Sequence, residues 1–186
     1  KKKITDITKH LYKIIKITKY LGAKKIIIGS SYFRCKKKLD IIKADYKFIN
    51  YFSKFKKVLK KNNIIFCLET IPSQYNEDYI YDISHMRKII KRINSKNIKI
   101  NFDTSLYHFK KFNFKEFSKN LTNITNVQIS QKNFLNFNKI NKNNLKFLKK
   151  IKYNKEVSSI SIEMILKTPT VSEINNSIKN IKQILD

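Results

Sequence analysis

Four polar side chains sit where short apolar runs end: Glu69 after IIFCL, Asp103 after IKINF, Gln128 within NVQIS, and Glu163 within SSISIEM. The gaps between them are 34, 25 and 35 residues. A carboxylate beside an apolar run lies at the rim of a low-dielectric core. Keeping it there alone costs several kcal/mol unless it is paired or bound to a cation. Three carboxylates at equivalent positions, each ending an apolar run, therefore point to one shared chemical task. Arg34 follows another such run, KIIIG, and can meet a substrate phosphate or stand as a solvated loop residue.

The elements that must hold these groups alternate. Residues 6–21 carry Ile7, Leu11, Ile14, Ile15 and Leu21 near helical spacing, with Asp6 to cap the start and Gly22 to end it. The β-branched run Lys25–Gly29 reads as a buried strand. Helix Ala44–Lys61 then precedes strand Ile64–Glu69, and helix Ile80–Ile93 precedes strand Ile98–Asp103. Helix Phe114–Leu121 precedes strand Asn126–Ser130, helix Asn143–Ile151 precedes strand Ser158–Met164, and helix Val171–Leu185 follows. Five strands alternating with helices imply an α/β fold with a parallel sheet and right-handed crossovers. In a parallel barrel the C-terminal strand ends carry the active site, which is where Glu69, Asp103, Gln128 and Glu163 fall.

Composition narrows the class. The 186 residues suit one domain, residues 1–186, and no linker divides them. A complete eight-unit barrel takes about 250 residues. The chain also opens at Lys1 inside a helical pattern. Both observations lead us to expect the C-terminal part of a barrel, partnered by an N-terminal segment or by further copies. The net charge of +28 favours nucleic acid when read alone. Yet of 41 basic residues only Arg34, Arg87 and Arg92 are arginine, in a chain dominated by Lys, Asn and Ile. Nucleic-acid readers favour the planar arginine fork, so codon bias is the better reading. Glycine-rich phosphate loops are excluded by a chain with only Gly22 and Gly29. Cys35 and Cys67 make no disulfide framework or metal-type pair, and no apolar run approaches a membrane span. A cytoplasmic protein is expected.

Taken in order, these segments resemble the xylose isomerase-like barrels, a family of sugar-phosphate isomerases, ketose 3-epimerases and endonuclease IV. LGAKKIIIGSSYFR is similar to the family's fourth strand and loop, FCLETIPSQYNEDYI to its fifth strand, INFDTSL to its sixth and VSSISIEM to its eighth. VQIS stands where the family has His-x-Ser. The resemblance implies a partial (β/α)8 TIM barrel comprising strands four to eight. It also implies a divalent metal (Mn²⁺, Mg²⁺ or Co²⁺) held by Glu69, Asp103, Gln128 and Glu163, with Glu69 and Glu163 catalytic. Arg34 and Ser130 would bind substrate. The implied activity is isomerisation or epimerisation of a sugar or sugar phosphate, by proton transfer next to a carbonyl. Two other readings stay open: a DNA-repair nuclease of the same fold, and a degraded barrel acting as a binding module. Three positions depart from the family pattern: Gln128 replaces His, Leu106 stands where many members have His, and Gln131 where Glu is common. An amide oxygen suits a hard cation better than Zn²⁺.

Structural alternatives accompany each residue. Glu69 can cap a turn or pair with lysine. Asp103-Thr104-Ser105 can close an Asx turn. Gln128 can be an ordinary hydrogen-bonding group. Tyr75 and Asp78 can belong to a lid. His10, His85 and His108 fall away from strand ends and are expected at the surface.

Overall fold

The structure is a computed structural model that describes residues 2–29, 36, 38–70, 79–80, 82–107, 121–165 and 170–186, the side chains of Lys2, Lys3, Leu106 and Tyr107 excepted. Its elements run α1 (Lys2–Tyr20), β1 (Lys25–Ile28), α2 (Ile41–Ser53), α3 (Lys56–Asn62), β2 (Ile65–Glu69), α4 (Ile83–Ile93), β3 (Ile98–Asp103), β4 (Ile124–Ser130), α5 (Lys142–Ile151), β5 (Ser159–Glu163) and α6 (Val171–Leu185). The five strands follow the order β1-β2-β3-β4-β5. Strands β1 and β2 pair in parallel, as do β4 and β5. This is the parallel, sequential arrangement expected from the repeating strand–helix pattern. The chain divides within β3 into two compact units, Lys1–Ile100 and Asn101–Asp186.

In the first unit, alternation along β2 sets the layers. Phe66 and Leu68 are buried, and Phe66 stacks against Phe52 and Phe55 with ring centroids 6.4 and 5.3 Å apart. Ile65, Cys67 and Glu69 occupy the opposite face, because successive strand side chains alternate. Helix α4 packs Met86, Ile89, Ile90 and Ile93 inward at helical spacing. Asp40 caps α2 by accepting the Lys43 N–H at 2.8 Å, and Asp82 caps α4 by accepting the His85 N–H at 2.8 Å. Each cap satisfies one of the otherwise unpaired N–H groups in the first turn of its helix. Asn63, Asn94 and Gly22 end their helices in left-handed backbone at φ 52°, 50° and 69°.

In the second unit, Phe102, Val127, Ile129, Phe147, Leu148 and Ile151 form the buried layer between strands and helix, with Phe102 and Phe147 at 5.4 Å. Asn141 caps α5 through the Asn144 N–H at 2.8 Å, and Thr170 caps α6 through the Glu173 N–H at 3.2 Å.

Several boundaries differ from the sequence reading. The helix expected over Ala44–Lys61 is two helices, because Phe55 is driven fully into the core and the chain turns there, with Phe55 N–H on the Phe52 carbonyl at 3.1 Å. Helix α4 begins at Ile83 rather than Ile80, which has φ +61°, since Asp82 supplies the cap. Helix α1 starts before Asp6, so Asp6 lies inside it and caps nothing. Strand β4 begins two residues early, at Ile124, where the Thr125 carbonyl accepts the Ser158 N–H at 3.1 Å. The helix expected over Phe114–Leu121 lies outside the described residues except for Leu121, which is not helical. No described helix is long and apolar enough to cross a membrane.

Candidate active site

Glu69 closes β2 in the first unit and is half-buried. Its carboxylate lies directly over Gly29. A Cβ built on Gly29 would overlap Glu69 Oε2 and stand 3.1 Å from its Cδ. Gly29 therefore clears the space that the carboxylate fills. Thr70, next in sequence, is buried, and its hydroxyl has no hydrogen-bond partner among the described residues. On the same strand face, burial pushes the Cys67 thiol up to about 12, opposed in part by the charge of Lys25, and burial pushes the Lys25 ammonium down. Cys67 is a buried, protonated group at neutral pH.

The second unit gathers Asp103, Gln128, Ser130 and Glu163. The β4–β5 register sets Gln128 beside Ser161 and Ser130 beside Glu163, so 126, 128, 130, 159, 161 and 163 share one strand face. Glu163 is half-buried at the end of β5. Burial raises its carboxyl above the usual range. A hydrogen bond from Gln128 draws it back down, and the charge of Asp103 lifts it further. Asp103 is buried; its Oδ1 accepts the Ser105 N–H at 2.8 Å and the Ser130 hydroxyl at 3.2 Å, and its Oδ2 accepts the Ser105 hydroxyl at 2.7 Å. The Asx turn weighed from the sequence is therefore formed. Ser130 is fully buried, and it supports Asp103. Gln131, at the position where Glu is common, is a loop clamp. Its Nε2 donates to the carbonyls of Asn136 and Lys139, at 2.5 and 2.9 Å, and its Oε1 accepts the Asn141 N–H at 3.1 Å.

Behind Gln128 runs a set of amides that the sequence reading passed over. Asn101 Nδ2 donates to Gln128 Oε1 at 3.2 Å, and Asn126 Nδ2 donates to Asn101 Oδ1 at 2.5 Å. Ser159 donates its hydroxyl to Asn126 Oδ1, and Asn126 Nδ2 also reaches Ser161 Oγ at 3.4 Å. The signal was present in the alternation of INFD and TNVQIS, which puts every second polar residue on one face.

The implied cation can be tested against this donor set. Carboxylate and amide oxygens suit a hard cation such as Mg²⁺ or Mn²⁺. However, the Gln128 oxygen is engaged by Asn101, and both Asp103 oxygens are engaged by Ser105 or Ser130. Among the described residues no group of three or more His, Cys, Asp or Glu side chains could hold a metal ion.

Arg34, Cys35, Tyr75, Asp78 and His108 lie outside the described residues, as does the side chain of Leu106. His10 is exposed as expected, but His85 is not a free surface residue. It is largely buried at 18% exposure, and its Nε2 meets Asp45 Oδ1 at 2.8 Å. Tyr79 donates its hydroxyl to the same oxygen at 2.8 Å, and Arg92 lies 3.8 Å from Asp45 Oδ2. Burial, the hydrogen bond to Asp45 and the Asp45 charge all push the Tyr79 phenol upward.

The family described as "Xylose isomerase-like TIM barrel" matches residues 3–179. No curated protein matches by sequence. Among solved structures, the IolI protein with a binding zinc atom is similar at a TM-score of 0.79 and 12% identity, over 100% of this chain and 71% of that one. D-psicose 3-epimerase with D-tagatose from Clostridium cellulolyticum H10 is similar at 0.74 and 13%, over 94% and 68%. AP endonuclease, family 2 from Brucella melitensis is similar at 0.75 and 13%, over 91% and 66%. The chain thus spans about two thirds of the length of these structures, and the likeness at these identities is one of fold.

Proposed function

The chain belongs to the xylose isomerase-like TIM barrel family, and we propose that it takes part in isomerising or epimerising a sugar or sugar phosphate by proton transfer at the carbon next to a carbonyl. One observation carries this reading: Glu163, a half-buried carboxyl at the end of β5, shares its strand face with Gln128 and Ser130, and burial and the charge of Asp103 raise it. A carboxylate raised in this way is a stronger base than one in water.

In the proposed step ionised Glu163 takes the proton, the C–H bond breaks, and its electron pair passes into the enediolate. Return of a proton to the same carbon on the other face gives an epimer, and return to the neighbouring carbon gives an isomer. Glu69 is the second proposed acid–base group, on the strength of its place at the end of β2 and the room that Gly29 leaves for it. The named activity of similar structures, D-psicose 3-epimerase and L-ribulose 3-epimerase, supports the substrate class.

The test is a panel of ketoses and ketose phosphates incubated with the chain in deuterated buffer and followed by NMR. New isomer or epimer carrying deuterium at the reacting carbon is expected. An abasic DNA duplex serves as the contrasting substrate. Nicking of that duplex with no turnover of any sugar would replace this reading with the nuclease one.

A further inference from the structure

We propose that Gln128 donates a hydrogen bond to the carbonyl oxygen of the substrate and stabilises the negative charge that gathers there as the enediolate forms. The inference rests on the reading of Glu163 as the proton-transfer group, and it adds the group that meets the developing oxyanion.

Position singles Gln128 out. Strand β4 is buried along its length except at Gln128, which is half-buried. Asn126 and Ser130, its neighbours on the same strand face, are both buried. Among the polar residues of β4 on this face, Gln128 is therefore the one that a molecule resting on the sheet can reach. The register sets it beside Ser161, and Glu163 is the next residue of β5 on that face.

Hydrogen bonding then sets which end of the amide is offered. A glutamine amide accepts at its oxygen and donates from its nitrogen. Strand β4 lies between β3 and β5. From β3, Asn101 donates its Nδ2 to Gln128 Oε1 at 3.2 Å. The oxygen is thus tied toward β3, and Nε2, at the other side of the amide, faces toward β5, the strand that carries Glu163. Asn101 is held in turn: it is fully buried, and its Oδ1 accepts Asn126 Nδ2 at 2.5 Å. Asn126 Oδ1 accepts the Ser159 hydroxyl. Turning Gln128 over would set its N–H groups against the Asn101 N–H, in a place where that donor has no water to turn to.

The chemistry follows from that direction. When the C–H bond breaks, the proton goes to Glu163 and the electron pair ends on the carbonyl oxygen. A donor already in place binds that charged oxygen more strongly than the neutral carbonyl, so it lowers the barrier and does more than bind substrate. Gln128 keeps its own protons throughout.

The test compares the wild-type chain with Gln128→Glu and Gln128→Met, all shown to be folded. Gln128→Glu keeps an oxygen for the Asn101 N–H and removes both donors; Gln128→Met removes oxygen and donors together. In the deuterium assay both variants should lose about a hundredfold in kcat with KM changed little. A wild-type kcat in either variant would overturn the proposal. Calorimetry with Mn²⁺ alone should give the same result for wild type and Gln128→Met; a tenfold loss of affinity in the variant would make Gln128 a cation ligand and overturn the donor role. On the wild-type chain, ¹⁵N NMR of the Gln128 side-chain amide during titration with D-tagatose or D-psicose should show that resonance shift and its protons exchange more slowly. Saturation of the Ser161 backbone resonance with no change at the Gln128 amide would overturn the proposal even if a variant fails to fold. Absence of turnover of any ketose by wild type would remove the proton-transfer reading and the proposal with it. Turnover that is indifferent to Gln128 would remove the donor role alone.

Discussion

Glu69 and Glu163 differ in how the chain makes room for them. Glu69 depends on what Gly29 lacks, because its carboxylate occupies the space a Cβ would need. Gly29→Ala should push that carboxylate aside, with a stability loss of about 1–3 kcal/mol from overpacking. Urea denaturation would measure the stability loss, and the deuterium assay the accompanying fall in turnover. Glu163 instead sits in a half-buried place, where burial and the charge of Asp103 raise its carboxyl. Its folded-state carboxyl titrates above the unfolded one, so the native chain binds the extra proton between the two. Stability from this group is therefore fully present below the ordinary carboxylate range and is lost as pH rises through the Glu163 value. Glu163→Gln should flatten that part of the stability–pH profile and gain most over wild type near neutrality. Denaturation at a series of pH values would check the sign. A variant that loses stability more steeply with pH would contradict it.

At the scale of elements, the strands were legible because β-branched runs such as IIIG and IIF recur at regular distances, and their order followed from the alternation with helices. The break between α2 and α3 was not legible. No Gly or Pro marks it, and only the tertiary burial of Phe55 turns the chain there. The carboxylates at strand ends were readable from position alone, but the roles of Asp103 and Gln128 were not. These depend on which partners Ser105, Ser130 and Asn101 bring from neighbouring segments. The same holds for Asp45, which lies 40 residues from His85 in sequence and yet binds it together with Tyr79. That cluster ties α2 to the start of α4 and to Tyr79. Asp45→Ala should leave two buried donors without their acceptor and cost about 2–3 kcal/mol. Thermal unfolding would measure it, and a change below roughly 0.5 kcal/mol would mean that the cluster stabilises nothing.

For the molecule as a whole, family membership and charge draw in different directions. Structures similar to this chain include sugar epimerases and an AP endonuclease, and a net charge of +28 attracts any polyanion. Lysine accounts for nearly all of that charge, so attraction to DNA should be non-specific and strongly salt-dependent. Filter binding to unrelated duplexes should give equal affinities that collapse between about 50 and 200 mM salt. Affinity for one duplex that persists at the higher salt would point to a built nucleic-acid surface.

The central claim is that Glu163 moves a carbon-bound proton. Its most direct test is the rate of solvent deuterium incorporation into the best ketose substrate by wild type and by Glu163→Gln, measured by NMR at saturating substrate with both proteins shown to be folded. The account predicts a loss of at least about a hundredfold in the variant, as expected when a general acid–base group is removed. Incorporation by Glu163→Gln at the wild-type rate would contradict it.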